Sequence, residues 1–390
     1  MKNNLYRLTV LILFITFVAL AHNVYVEAED EIGNKTESKT EDKTEDKSGQ
    51  AKIHYNKGVA FWNQKEVGKA IAEYKAAIEI DPKHAKAHFN LGYVYYTNGN
   101  KDDAIKSFKN AIEIENNWIE AHTMLGRVYE GFNMFKEAID EHKIVLSIDP
   151  KLAKPHMNLG NIYNKTQKHS KAISEYKKAI KINPKLKGAH TMLGGIYWNQ
   201  GKLDKSIKEY NAEIKVNPDQ VKTFFNLGYI YMQKGNKDLA IKSFRSAIKL
   251  DPGLVEAHTM LGVVYERFSL YEDAINVYKE ALKINPEFAE AHINLGNIYF
   301  DQKKIEEAIS EYTQAIKINP SLAEAHNNLA YLYYEQGKNS EAIEGFKKAI
   351  GLMYKYVSAH NNLAIAYKQA GMDKKADEEL TIVKNLSNRR

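Results

Sequence analysis

No cysteine occurs in the 390 residues. That absence excludes a disulfide framework, a thiolate metal site, a cysteine nucleophile and a lipid-modified N-terminal cysteine. Proline is scarce, at 8 residues. Seven of these (Pro82, Pro150, Pro184, Pro218, Pro252, Pro286 and Pro320) fall in one register, where each disfavours helix in the residue before it and so marks a connection. There is no nucleotide-binding glycine loop, no Gly-x-Ser-x-Gly, no His-Glu-x-x-His and no EF-hand acid pattern. Acidic residues are scattered over exposed helical places. These absences leave no catalytic constellation, so the expectation is a protein that is not an enzyme and that carries no cofactor and no metal.

What is present is one 34-residue pattern, repeated ten times without insertion or deletion from Ala51 to Arg390. The copies span 51–84, 85–118, 119–152, 153–186, 187–220, 221–254, 255–288, 289–322, 323–356 and 357–390. The eighth place is glycine in eight copies, from Gly58 to Gly296, then Ala330 and Ala364. The eleventh is Phe61 and then tyrosine from Tyr95 to Tyr367, and the twentieth is alanine except at Ser206. Most copies close on Asp-Pro or Asn-Pro, with Asn116 and Tyr354 in place of the proline. Length alone suggests two or three domains. The repeat overrides this, because each unit packs mainly on its neighbours in a quasi-one-dimensional stack.

The period and residue order resemble the tetratricopeptide repeat, a helix-turn-helix unit whose pattern ends in proline. The resemblance covers everything after residue 50. His142 and Glu213 interrupt the usual Phe/Tyr and Ala places, and the fourth place is histidine where the family often has tryptophan. The fold it implies is all-α, a right-handed α-solenoid, or superhelix, of ten tandem helix pairs. Isoleucine at place 21 and Ile or Leu at place 28 give way to Asp377 and Lys384 in the tenth copy. The last helix is therefore expected to form a polar cap to the stack.

Residues 1–50 have a different character. Lys2 and Arg7 precede an apolar run from Leu8 to Ala21 that ends in the small-x-small triplet Ala19-Leu20-Ala21. This is the order of a secretion signal, expected over 1–21. Extension of the apolar stretch over 8–26 gives the alternative, an uncleaved membrane anchor. Either places the repeats outside the cytoplasm, in the periplasm or another extracytoplasmic space. Residues 22–50, rich in Lys, Glu, Asp and Thr with little apolar surface, read as a disordered charged linker.

Within the first 14 positions of a copy, places four, seven, eight and eleven share one side of a helix and form its packing stripe. Places two, five, six, nine, twelve and thirteen fall opposite. In tetratricopeptide superhelices that opposite face lines the concave groove. Place six carries Asn56, Asn90, Asn158, Asn226, Asn294, Asn328 and Asn362, interrupted by Met124, Met192 and Met260. This is similar to the asparagine ladder of O-linked N-acetylglucosamine transferases, where, by resemblance, side-chain amides hold the backbone of a target peptide. An amide offers donors and an acceptor and so can pair with a peptide unit whatever its side chains. The alternative is that the asparagine descends from a duplicated ancestor and serves helix packing or solvation. Aromatic residues at groove places are Tyr55, Trp62, Phe89, Tyr93 and Tyr96 in copies one and two; Trp198, Phe225 and Tyr229 in five and six; and Phe300, Tyr331 and Tyr334 in eight and nine. Residues of this kind are enriched among interface anchors.

A longer periodicity lies above the first. Ala-His-Thr-Met-Leu-Gly recurs at 121, 189 and 257, and Asn-Leu-Gly-Asn-Ile-Tyr at 158 and 294, so copies two to four closely resemble copies six to eight. Copies four to six hold a net charge of +12, which could meet an acidic protein segment or an anionic glycan. Many of these lysines, such as Lys177, Lys178 and Lys181, belong to the second helix, and export argues against nucleic acid. Nine of the 13 histidines stand at place four. Helices pack roughly 8–10 Å apart, too far for neighbouring copies to share a zinc ion held at about 2 Å, which makes these packing residues. The expected function is an exported, non-catalytic scaffold that binds extended segments of other proteins or peptides in the concave groove, for envelope or secretion complex assembly. The alternative is a membrane-associated accessory subunit of an exopolysaccharide or glycosyltransferase system.

Overall fold

A computed structural model describes residues 43–388, and every regular element in that range is an α-helix. The helices group into two units, one ending at Lys83 and one running from His84 onward. Each copy contributes two helices. In copy two they are Ala85–Thr97 and Lys101–Ile114, and the lengths of 13 and 14 residues recur in most copies. The signal or anchor expected over 1–21 or 8–26 lies outside the described residues. Among those that are described, no helix is long and apolar enough to cross a membrane.

The turn inside each copy is set at place fifteen, which has a left-handed backbone in all ten copies: Lys65, Gly99, Asn133, Gln167, Gly201, Gly235, Ser269, Lys303, Gly337 and Gly371, with φ from 57° to 76°. The next amide then reaches back to the carbonyl five residues earlier, as from Asn100 to Tyr95 at 2.9 Å and from Lys304 to Tyr299 at 2.8 Å. This satisfies carbonyls that the helix end would otherwise strand. The connection between copies is set by the Asp or Asn before the proline. Its side chain accepts from the amide two residues on, as Asp149 Oδ1 does from Lys151 at 2.8 Å and Asn285 Oδ1 from Glu287 at 3.0 Å.

The core follows places eight, twenty, twenty-four and twenty-seven. Ala172, Tyr176 and Ala179 are fully buried, and the same trio recurs as Ala104, Phe108, Ala111 and as Ala308, Tyr312, Ala315. The large ring lies against the glycine of its own first helix. A Cβ at Gly262 would stand 2.4 Å from the Tyr278 ring, and one at Gly160 would stand 2.6 Å from that of Tyr176. Copy nine solves the same problem in reverse: Ala330 occupies the glycine place, and Gly345 on the facing helix leaves the room. In the second unit each second helix packs on the first helix of the following copy, which gives the α-solenoid its repeated step.

Two expectations change. The first helix begins at Lys43, inside the stretch expected as disordered linker, and runs to Asn63. Residues 47–50 of this extension are exposed, so over those four residues the helix of copy one continues without burying a face. The second change concerns Glu213, a carboxylate in an alanine place. It is fully buried and accepts from the amides of Gly188 at 2.8 Å and Thr191 at 3.4 Å. Gly188 has φ 88°, so the first helix of copy five starts late and spans Ala189–Asn199. The interruption at Glu213 is therefore an N-terminal cap supplied from the second helix.

Candidate functional site

In the second unit the first helices of successive copies touch directly through their groove places. Arg267 donates to the carbonyl of Met232 at 3.0 Å, Asn328 to Asn297 Oδ1 at 3.0 Å, and Asn362 to Asn327 Oδ1 at 3.1 Å. The rings of Trp198 and Tyr229 are 5.4 Å apart, and those of Phe300 and Tyr331 are 5.7 Å apart. One continuous face is thus formed by residues that the helical wheel puts opposite the packing stripe.

The asparagines on this face are not isolated. Asn226 Nδ2 donates to the hydroxyl of Tyr210, the core ring of the preceding copy, at 3.2 Å. Asn328 Nδ2 donates to Asn297 Oδ1 at 3.0 Å, and that oxygen also accepts from the hydroxyl of Tyr312, the core ring of the preceding copy, at 2.7 Å. Burial pushes the Tyr210 phenol up to about 12 and raises those of Tyr278 and Tyr312 as well, so all three remain protonated. Asn90, Asn158, Asn226, Asn294, Asn328 and Asn362 are half-buried, whereas Asn56 is exposed.

Two of the three methionine interruptions follow a core phenylalanine, as Asn362 also does after Phe346. Met260 packs in one apolar cluster with Phe244, the core ring of the preceding copy, which has no hydroxyl to satisfy. Met124 stands in the same register to Phe108. Met124 and Met260 are buried, at 8% and 9% exposure, whereas Met192 is exposed, at 39%. Met192 follows a tyrosine, Tyr176, whose hydroxyl donates to Asn161 of its own copy at 2.7 Å, as Tyr312 donates to Asn297 ahead of Asn328.

The aromatic residues divide. Tyr55, Trp62, Phe89, Tyr93, Tyr96, Trp198, Phe225, Phe300, Tyr331 and Tyr334 are half-buried and keep part of their surface open. Tyr229 is only 9% exposed and belongs to a core cluster with Met232, because Trp198 of the preceding copy covers it. It is a packing residue, contrary to its place on the wheel. Phe89 and Phe225 meet the core rings Phe108 and Phe244 edge to face, at 5.4 and 5.6 Å. Phe89 also stacks on Trp118 at 4.7 Å.

The place-four histidines bind within their own copies. In six copies Nδ1 donates to a glutamate nineteen residues on, for example His54 to Glu73, His156 to Glu175 and His292 to Glu311, at 2.5 to 2.7 Å. In copies seven and nine Nε2 donates instead to the carbonyls of Pro252 and Pro320, at 3.1 and 3.0 Å. The ring pins its first helix to the second helix or to the entering loop. Lys177, Lys178 and Lys181 of the basic middle are exposed on a second helix, away from the first-helix face.

The chain matches two family models. One, described as TPR repeat, matches residues 64–99, 160–201, 194–235, 271–303, 296–337 and 331–371. The other, described as Tetratricopeptide repeat, matches 85–117 and 221–254. No curated protein matches. Among solved structures, MamA is 28% identical at a TM-score of 0.38, over 42% of this chain and 95% of its own. The C-terminal part of a TPR repeat-containing protein from Cytophaga hutchinsonii is 17% identical at a TM-score of 0.54, over 62% of this chain and 99% of its own. Yeast Tom70 is 16% identical at a TM-score of 0.45, over 88% and 92%. The likeness to the Cytophaga protein is one of fold.

Proposed function

The chain belongs to the tetratricopeptide repeat family, and on that premise we propose that it is a non-catalytic scaffold whose first-helix face receives extended segments of other proteins. The observation that carries this reading is the tethering of Asn226 to the buried Tyr210 hydroxyl and of Asn328, through Asn297 Oδ1, to that of Tyr312. Each amide is held in one orientation before any partner arrives. Such preorganisation lowers the entropy lost on binding, while the remaining donor and acceptor capacity of the amide suits a peptide backbone. Open aromatic surface at Phe300, Tyr331 and Tyr334 supplies apolar anchorage beside the amides.

The order of charged, apolar and small residues at the N-terminus supports an exported protein, cleaved or anchored, acting in envelope or secretion complex assembly. N-terminal sequencing of the mature chain distinguishes the two. The binding face is tested by placing a photo-crosslinking residue at Asn294 or, as a second-helix control, at exposed Lys317, in the native cell. Protein adducts are expected from position 294 and not from 317. Adducts from 317 alone would move the partner surface to the other side of the repeats.

A further inference from the structure

The duplication visible in the sequence is reproduced in three kinds of contact. In copies two and six, Phe89 and Phe225 meet core phenylalanines edge to face. In copies three and seven the core residue reaches a carboxylate at place twelve, His142 to Glu130 at 2.8 Å and Tyr278 to Glu266 at 3.2 Å. In copies four and eight, Tyr176 and Tyr312 donate to Asn161 and Asn297, both at 2.7 Å. Two stretches of one groove therefore share a frame.

Their charge differs. On the groove places of copies seven to nine stand Glu256, Glu266, Glu290, Asp301, Glu324 and Glu335, whereas the matching places of copies three to five hold Glu120, Glu130, Lys154, Lys165, Gly188 and Asn199. Among the described residues none of the six carboxylates of copies seven to nine forms an ion pair, while Glu280 and Glu311 on the second helices are paired with Lys283 and His292. Arg267, the cation at a groove place of these copies, is turned to the carbonyl of Met232.

Glu266 and Glu324 are half-buried. Burial pushes both carboxyls up, and Asp301 and Glu324 add their repulsion to Glu266. Like charges drawn together out of water are costly, and a cation placed among them removes that cost. The rings of Phe300, Tyr331 and Tyr334 continue the same face, edge to face at 5.7 Å and tilted at 6.0 Å. Lys303 Nζ already lies over the Phe300 ring at 5.5 Å; Tyr331 and Tyr334 offer aromatic surface to a guanidinium or ammonium group.

We propose that copies seven to nine form a docking stretch for an extended protein segment bearing arginine or lysine, and that the matching stretch of copies three to five, built on the same frame, lacks this preference. The proposal rests on the groove reading above and adds the chemistry of the partner.

The test uses the full chain and a phage-displayed library of random dodecapeptides, followed by titration of the selected peptides after synthesis. Enrichment in arginine and lysine is expected, as is a loss of affinity of at least about tenfold in Glu266→Gln/Glu324→Gln, in the range for desolvated charge pairs. Glu280→Gln, on a second helix, should bind as the native chain does. Should the double variant fail to fold, Asp301→Asn, at an exposed position, is expected to weaken the same peptides. Selected peptides without basic enrichment that still lose affinity in Asn294→Ala would leave the groove reading intact and overturn this one. Basic peptides indifferent to Glu266→Gln/Glu324→Gln and to Asp301→Asn would also overturn it. If no peptide is retained, the groove reading itself falls, and this proposal with it.

Discussion

The hydroxyl of Tyr312 donates to Asn297 Oδ1 at 2.7 Å, and the same oxygen accepts from Asn328 Nδ2 at 3.0 Å. A fully interior ring of a second helix thereby fixes two amides on the first-helix face of two copies. Tyr312→Phe removes the donor and keeps the ring. The expected cost is about 0.5–1.5 kcal/mol, the usual net worth of one internal hydrogen bond, read as a lower urea midpoint, together with weaker partner binding through Asn328. An unchanged midpoint would mean that the hydroxyl contributes nothing to the repeat.

Glu213 occupies a place that is alanine in most copies, so a consensus argument would have Glu213→Ala stabilise the chain. The structure argues the reverse. The substitution strands the amides of Gly188 and Thr191 inside the protein, which should cost about 1–3 kcal/mol. Urea unfolding of the variant decides between the two, and a raised midpoint would refute the capping role.

Two glycine exchanges should have opposite signs. Gly262→Ala brings a Cβ to 2.4 Å from the Tyr278 ring, and overpacking of about 1–3 kcal/mol should exceed the helical gain of about 1 kcal/mol. Ser269→Gly relieves a left-handed backbone, φ 59°, and should stabilise by roughly 1 kcal/mol. Thermal midpoints moving in the same direction would contradict the geometry at one of the two sites.

Stability should also depend on pH through His292. The hydrogen bond to Glu311 raises the imidazole above its ordinary value; burial opposes this, and the Pro286 carbonyl and the Glu311 charge add to it. A folded-state pKa above the unfolded one makes the pair's contribution complete below about pH 6.5, and that contribution is lost as pH rises through the folded value. Comparing urea midpoints at about pH 6 and pH 8, the native chain should lose more stability than Glu311→Gln. Equal losses would remove this pair from the pH dependence.

The fold was legible because one ruler repeats: glycine at place eight, alanine at twenty and proline at the close each report a local packing or turn requirement. The first-helix places opposite the stripe were also legible, since a helical wheel separates the two sets. The wheel does not reveal what lies across from a residue on another helix. That Asn226 answers Tyr210, and that Met260 instead adjoins Phe244, depends on pairs sixteen residues apart on different helices. Tyr229 misled for the same reason, since the ring that covers it, Trp198, comes from the preceding copy. The start of the first helix at Lys43 escaped because polar, threonine-containing sequence carries no apolar period, and helix can propagate backward from a nucleated turn at little cost.

The most direct test of the central claim is a titration of a partner recovered by cross-linking at position 294 against the Asn226→Ala/Asn294→Ala/Asn328→Ala variant, once its helicity and urea midpoint have been measured. Preorganised groove amides predict a variant that stays folded and binds at least about tenfold more weakly, in line with the loss of several hydrogen bonds. A folded variant with native affinity would contradict the account.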